Sequence, residues 1–273
     1  MARKNPLLVL LTDFGATDSY VAAMKGMIYT KHPLARIVDL SHDVEPHNID
    51  EAAFLLWNAY KYFPEGTIFV VVVDPDVGSQ RRIICVQTAR YTFLVPDNGI
   101  LKFIIGESQV RGVYDVTKPR IFSHAISQTF HGRDIFAPIA ALLARGEKLS
   151  LFGRPAHVTS PIETFVSVDE GIQGVYKGKV IHIDRFGSIM TNILLPEAPL
   201  PPFQVKIEKK KITRQAQFYA EMKKGDLFII RGSTRLLEIS VRHGSAARAL
   251  KVSTGASVTL EILPIAEPPR EGS

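Results

Sequence analysis

Thr67-Ile68-Phe69-Val70-Val71-Val72-Val73-Asp74-Pro75-Asp76-Val77-Gly78 is the stretch that decides the fold. From Ile68 to Val73 the apolar residues run without polar alternation. A strand of that kind is covered on both faces, as in the middle of an α/β sheet. It stops at a loop carrying two carboxylates, Asp74 and Asp76. Upstream, Leu7 to Leu11 is a shorter apolar run that ends in Thr12-Asp13-Phe14-Gly15, and Ile37 to Leu40 predicts another strand before Ser41-His42-Asp43. Between them a helix begins near Asp18 or Ser19, either of which can cap it. Ala22, Ala23, Ile28 and Tyr29 then follow at helical spacing. Ile49 to Tyr62 predicts a longer helix with an apolar stripe of Ala52, Leu55, Leu56, Ala59 and Tyr60, stopped by Pro64-Glu65-Gly66.

Downstream, Ile83 to Thr88 and Tyr91 to Val95 predict a pair of strands, followed by the turn Pro96-Asp97-Asn98-Gly99 and a short helix around Ile100 to Ile105. Gly132-Arg133-Asp134-Ile135-Phe136 leads into a small, apolar helix from Ala137 to Ala144. The fold class is α/β, with residues 1–154 forming an N-terminal α/β domain around a central, largely parallel sheet. Composition changes near Phe152-Gly153-Arg154-Pro155, and 155–172 reads as a linker. Residues 173–264 carry short β-forming segments separated by glycine turns, which predicts a smaller β-rich, barrel-like C-terminal domain. The proline-containing end, 265–273, is expected to be a flexible tail.

Composition narrows the classes of function. Apolar residues make up 46% and charged residues 22%, as expected for a packed globular chain. The net charge of +6 is modest and scattered, and Lys209-Lys210-Lys211 reads as a solvated turn or edge. No nucleic-acid-binding motif accompanies it, so no nucleic-acid partner is expected. Cys85 is the single cysteine and lies in an apolar run, which points to a buried structural thiol in a reducing compartment. The N-terminal apolar run is too short for a secretory segment and no run reaches membrane-spanning length, so a cytoplasmic protein without membrane association is expected.

Asp13, Asp74 and Asp76 follow apolar strands, and the strand ends of an open α/β sheet are where ligands bind. A carboxylate there can hold vicinal hydroxyls or a water, or it can simply make a turn. His131, beside Gly132-Arg133-Asp134, can exchange protons near neutral pH. Arg81 and Arg82 can fix a carboxylate or stand as exposed charges. Asp39, His42 and Asp43 form a weak cluster without recognised metal spacing, so no metal is expected. Glycine-rich phosphate loops and the Gly-x-Ser-x-Gly signature are absent from the sequence.

Taken in order, four loops are similar to one known family. They are Leu11-Thr12-Asp13-Phe14-Gly15 with Asp18-Ser19-Tyr20-Val21, Val72-Val73-Asp74-Pro75-Asp76-Val77-Gly78 with Arg81-Arg82, Pro96-Asp97-Asn98-Gly99, and Thr129-Phe130-His131-Gly132-Arg133-Asp134. Together with Ile183-Asp184-Arg185-Phe186-Gly187 and Leu237-Glu238-Ile239, they resemble the S-adenosyl-L-methionine (SAM) hydrolases (adenosine-forming), also called SAM hydroxide adenosyltransferases. That family is related to fluorinating and chlorinating enzymes.

The resemblance implies attack of water or hydroxide at C5′ of SAM, giving adenosine and L-methionine without cofactor or metal. It also implies a homotrimer whose sites lie between the N-terminal domain of one subunit and the C-terminal domain of its neighbour. The family's catalytic set maps onto Asp74, Arg81 and His131. Asp13 matches the ribose-holding carboxylate, with Asp18 in the neighbouring loop, and Asp184 the acid that grips the methionine ammonium. Phe186, Ser188 and Ser233 fall at further substrate contacts, and Phe228 at the adenine pocket. Departures occur at Asp76, where the family has Gly, and at Ser188 and Gly232, where it has Asn. The resemblance leaves two alternatives beside hydrolysis, a halide-dependent SAM 5′-halogenase and a non-catalytic adenosine- or SAM-binding protein. A carboxylate at Asp74 favours water over halide.

Overall fold

A computed structural model describes residues 5–117, 126–168 and 174–263. Residues 169–172 of the expected linker and the expected tail 265–273 lie outside the described residues. The chain divides into two compact units, Met1–Thr164 and Phe165–Ser273.

In the first unit the order is β1 (Leu7–Thr12), α1 (Tyr20–Lys31), β2 (Arg36–Ser41), α2 (Ile49–Ala59), β3 (Ile68–Val72), β4 (Ile83–Thr88), β5 (Thr92–Pro96), β6 (Val110–Asp115), α3 (Ala137–Ala144) and β7 (Arg154–Pro155). The sheet order is β2-β1-β3-β5-β4-β6-β7. It is mixed, parallel from β2 through β1 and β3 to β5, then antiparallel through β4, β6 and β7. Every residue of β3 is buried, because the strand sits inside the parallel half and is covered on both faces. The core packs Leu8, Leu10, Val70 and Val72 against Met24 and Ile28 of α1 and Ile139 and Ala140 of α3. Cys85 is buried in this core, and burial pushes its thiol well above the ordinary range.

Local expectations fare unevenly. Asn48 caps α2 by accepting from the Glu51 N–H, with Asp50 and Glu51 in the first turn. Ser19 occupies the N-cap position of α1 without a side-chain cap bond, since its backbone (φ −79°, ψ 1°) is not the extended form that capping requires. The helix expected at Ile100 to Ile105 is instead a run of tight turns, ending in a 3-10 turn at Ile105–Glu107. Ile100, Leu101, Phe103 and Ile104 are all buried, which leaves no solvent face for an amphipathic helix. A π-helical turn, Gly132–Phe136, precedes α3.

In the second unit β8 (Val166–Ser167), β9 (Val175–Ile183), β10 (Ile189–Leu194), β11 (Phe203–Ile207), β12 (Lys210–Ile212), β13 (Gln215–Ala216), β14 (Leu227–Arg231), β15 (Leu236–Val241) and β16 (Ser257–Ile262) form one sheet, with α4 (Ala246–Leu250) between β15 and β16. The order β12-β11-β16-β9-β10-β15-β14-β13, with β8 on β10, curls into a half-barrel. Alternation of buried and half-exposed residues in β10 and β11 gives it an inner apolar face of Ile189, Ile193, Val205 and Ile207. Lys210 and Lys211 lie on the end strand β12, as a solvated edge requires.

Candidate active site

Strand register brings the acidic loops together. Thr12 of β1 is paired with Val72 of β3, so Asp13 and Asp74 leave neighbouring strands at the same edge of the sheet. Val70 of β3 is paired with Leu94 of β5, so the Asp97-Asn98 turn emerges beside Asp74. The chain goes from β1 to β2 on one side and returns to β3 on the other, and such a switch point opens a crevice at the carboxyl ends of the strands.

Asp74 is bound through Oδ2 to the Arg81 guanidinium, and both side chains are nearly closed off, at 4% and 8% exposure. The same guanidinium donates from Nη1 to the Arg82 carbonyl at 2.6 Å, which fixes its plane. Burial pushes the Asp74 carboxyl above its ordinary 3.8, against the opposing pull of Arg81 and then His131. Burial and the Arg81 charge hold His131 below its ordinary 6.5, against the carboxylates of Asp74 and Asp134, so its imidazole is neutral at pH 7. Asp74 Oδ1, Arg81 Nε and His131 Nδ1 are buried and have no hydrogen-bond partner among the described residues. This trio is a buried, charged centre with unused hydrogen-bonding atoms, which makes it the candidate reacting centre of the unit.

The surrounding carboxylates have structural tasks. Asp134 grips Arg133 at 2.6 and 2.9 Å and accepts from the Ser127 N–H at 2.9 Å, tying down the His131 loop. Asp97 is bound to Arg82 and to Thr159 at 2.7 Å. Burial alone would raise Asp97, but hydrogen bonds from Thr159, Arg82 and Ser160 outweigh it and hold its carboxyl below the ordinary range. Arg82 is therefore a clamp and not a free surface charge. Asp76 is exposed, two residues beyond Asp74 in the same loop. The left-handed conformation in this loop belongs to Gly78 (φ +84°), so aspartate at position 76 costs no backbone strain.

Asp13 accepts from the His47 N–H at 2.9 Å, and Gly15 donates to the His42 carbonyl at 2.7 Å. His42 Nδ1 lies 2.8 Å from Thr12 Oγ1, and its other nitrogen lies 3.0 Å from Asp39, which Lys25 holds at 2.6 Å. The weak Asp39-His42 grouping is thus a brace for the Asp13 loop. Among the described residues no group of three His, Cys, Asp or Glu is arranged to hold a metal ion. Asp18 is exposed ahead of α1. Phe14, Tyr20 and Phe130 form an aromatic triangle, with ring centroids 5.3–6.0 Å apart, that joins the Asp13 and His131 loops. These rings stood inside the sequence motifs without a role, because only the fold shows that they meet.

The second unit gathers another polar group. Asp184 Oδ1 accepts from the Phe186 and Ser188 N–H groups at 2.9 and 2.8 Å, which shapes the turn between β9 and β10. That turn presents Phe186 at 80% exposure, with Ser188 buried behind it. Ser240 Oγ lies 2.9 Å from Ser188 Oγ and 2.7 Å from Glu238 Oε1, and the Tyr219 hydroxyl donates to the same Glu238 oxygen. Burial and this bond to Glu238 push the Tyr219 phenol up to about 12. Glu238 is 5% exposed, and sequence reasoning noted it only as part of a motif. Ser233 is exposed in the turn between β14 and β15. Phe228 is fully buried and packs edge-on against Tyr219, so Tyr219 is the ring of that pair that reaches the surface.

Residues 8–153 match the family model described as SAM hydroxide adenosyltransferase N-terminal domain, and residues 178–259 match its C-terminal domain. A protein of Thermus thermophilus named (R)-S-adenosyl-L-methionine hydrolase is 34% identical over 92% of this chain and 97% of its own length. A protein of the same name from Methanocaldococcus jannaschii is 34% identical over 90% of this chain and 92% of its own. A fluorinase of an Actinoplanes species is 28% identical over 70% of this chain and 73% of its own. A crystal structure of a conserved protein from Thermotoga maritima, 32% identical, aligns with a TM-score of 0.83 over 93% of this chain and 99% of that one.

Proposed function

From the premise that the chain belongs to the SAM hydroxide adenosyltransferase family, we infer that it is an enzyme that hydrolyses S-adenosyl-L-methionine to adenosine and L-methionine. The observation that carries the mechanism is the enclosed Asp74–Arg81 pair beside a neutral His131, with one Asp74 oxygen left unpartnered. The sulfonium needs no protonation to leave. What remains is to align and partly desolvate a water behind C5′. Asp74 Oδ1 accepts a hydrogen bond from that water, while Arg81 fixes the carboxylate and His131 lines the approach. The C5′–O bond forms as the C5′–S bond breaks, its electron pair stays on sulfur, and the water gives up one proton to the Asp74 carboxylate.

In this reading Asp13 holds the ribose hydroxyls, with Asp18 nearby, and Asp184 attracts the methionine ammonium. Phe186, Ser188 and Ser233 contact the substrate, and Phe228 backs the adenine pocket from beneath Tyr219. Asp13 uses one oxygen on the His47 N–H of the loop before α2 and Asp184 one oxygen on its own turn, which supports carboxylates fixed in place with their second oxygens available to substrate. The two groups of residues lie in different units, and we assign them to one site shared between neighbouring subunits of a homotrimer. No helix of the described residues is long and apolar enough to cross a membrane. A single buried thiol fits the cytoplasm as the compartment.

The deciding test incubates metal-free protein with SAM in ¹⁸O-water. Labelled 5′-hydroxyl in adenosine, lost in Asp74→Asn, is the expected result. Adenosine without label, or no adenosine, removes the mechanism. A 5′-halo-5′-deoxyadenosine formed on adding chloride or fluoride would assign the halide chemistry instead.

A further inference from the structure

The turn Pro96-Asp97-Asn98-Gly99 has no part in the mechanism above, yet it emerges beside Asp74 at the carboxyl end of the neighbouring parallel strand. Asn98 Nδ2 donates to the Val73 carbonyl at 3.0 Å. A carbonyl can only accept, so this bond fixes which end of the amide is nitrogen. The other end, Oδ1, is then an oxygen acceptor. It is buried and has no hydrogen-bond partner among the described residues. The turn that carries it is anchored, because Asp97 is bound to Arg82 and Thr159.

A buried amide oxygen without a donor is costly, so its retention calls for a partner. Its neighbour through Val73 is Asp74, whose Oδ1 is buried and unpartnered in the same way. Two acceptors offered from adjacent strand ends suit a molecule with two hydrogens to give, and a water is such a molecule. They repel a halide, which has none.

We propose that Asn98 is a further catalytic residue, whose Oδ1 takes one hydrogen of the attacking water while Asp74 Oδ1 takes the other. With both hydrogens held, the oxygen lone pair is directed at C5′. Bond changes are those already given, and the proton that leaves is the one facing the carboxylate. The proposal rests on the assignment of Asp74 as the group that holds the nucleophile.

The test is a double-mutant cycle on the full-length protein, reading kcat, KM for SAM and adenosine affinity. Asn98→Leu is expected to lower kcat roughly 10- to 100-fold with KM and adenosine affinity within about twofold. Asp74→Asn with Asn98→Leu should be scarcely slower than Asp74→Asn alone, because both substitutions release the same water. Asn98→Asp keeps the oxygen and loses the donor to Val73. Burial and the neighbouring Asp74 raise a carboxyl at this place, so turnover of this variant is read across about pH 7 to 9.5 and should rise on the alkaline side well above Asn98→Leu, despite a lower melting temperature. If Asn98→Leu does not fold, Asn98→Asp decides by itself, since a mere brace for Val73 would leave it as slow as it is unstable. Wild-type kcat in Asn98→Leu, losses that multiply in the double variant, or a parallel fall in adenosine affinity would overturn the proposal. A wild-type protein that makes no adenosine, or an Asp74→Asn variant at full rate, would instead overturn the assignment of Asp74.

Discussion

At the scale of single residues, Asp74 and His131 are displaced in opposite directions by the same burial, and activity should record both. Attack needs the Asp74 carboxylate ionised, and its value is raised above 3.8. A neutral His131 is needed beside it, and its value is depressed below 6.5. Both required forms are lost as pH falls, because protonation of Asp74 removes the acceptor and protonation of His131 puts a positive charge beside it. The profile of kcat/KM should therefore fall on the acid side, with its limb set by whichever group protonates first and so centred above 3.8. His131→Gln should lower kcat about 10²-fold and leave an acid limb that Asp74 alone produces. A wild-type limb centred at or below 3.8 would mean that burial does not govern Asp74. Of the residues themselves, Asp74 and His131 were legible because carboxylate and imidazole sat next to strand and helix signals. Composition and spacing alone did not separate Arg81 from Arg82, and only the family resemblance singled out Arg81; the fold pairs it with Asp74 and pairs Arg82 with Asp97. Glu238 was hidden for a similar reason. Its partners Ser240 and Tyr219, and Ser188 beyond Ser240, come together only through the register of β10, β14 and β15.

At the scale of elements, the site depends on loops pressed against one another. A Cβ on Gly78 would stand 2.4 Å from the Gln128 carbonyl oxygen, and Gly78 also holds a positive φ. Gly78→Ala should therefore push the Asp74 loop off the His131 loop, at a cost of about 1–3 kcal/mol and with turnover falling further than the loss of stability explains. Asp76→Gly, at an exposed position of ordinary φ in the same loop, should leave turnover close to wild type. Calorimetry with a turnover assay checks both, and a Gly78→Ala enzyme with unchanged melting temperature and rate would show that the contact is dispensable. The elements that sequence reading recovered are those with a strong one-dimensional pattern, such as the unbroken apolar run of β3 and the apolar stripe of α2. β6 escaped it, because Val110-Arg111-Gly112-Val113-Tyr114-Asp115 carries arginine, glycine and aspartate and becomes a strand only by pairing with β4. The Ile100 to Ile105 turns were misread as a helix because buried apolar residues alone do not distinguish tight turns from a helical stretch.

At the scale of the whole molecule, the proposed site draws on both units. The Asp74–Arg81–His131 centre belongs to Met1–Thr164, and the Asp184 and Glu238 groups belong to Phe165–Ser273. If each site pairs the first unit of one subunit with the second unit of the next, two defective chains can complement each other. Asp74→Asn disables the first unit. Asp184→Asn removes the charge from the second while keeping the Oδ1 acceptor that shapes its turn. Each variant alone should be impaired, the former in turnover and the latter in affinity for SAM. Co-expressed in equal amounts and assembled at random in a closed ring, a site is intact when an Asp184→Asn chain lends its first unit to an Asp74→Asn chain's second. That arrangement has a probability of about one in four, so roughly a quarter of wild-type activity should return at low SAM. A site contained within one chain always carries one of the two lesions, so mixing would recover nothing. Light scattering on the same preparation separates the remaining cases. Three subunits with recovery support the shared site, three without recovery place the whole site in each chain, and a monomer removes the shared site altogether.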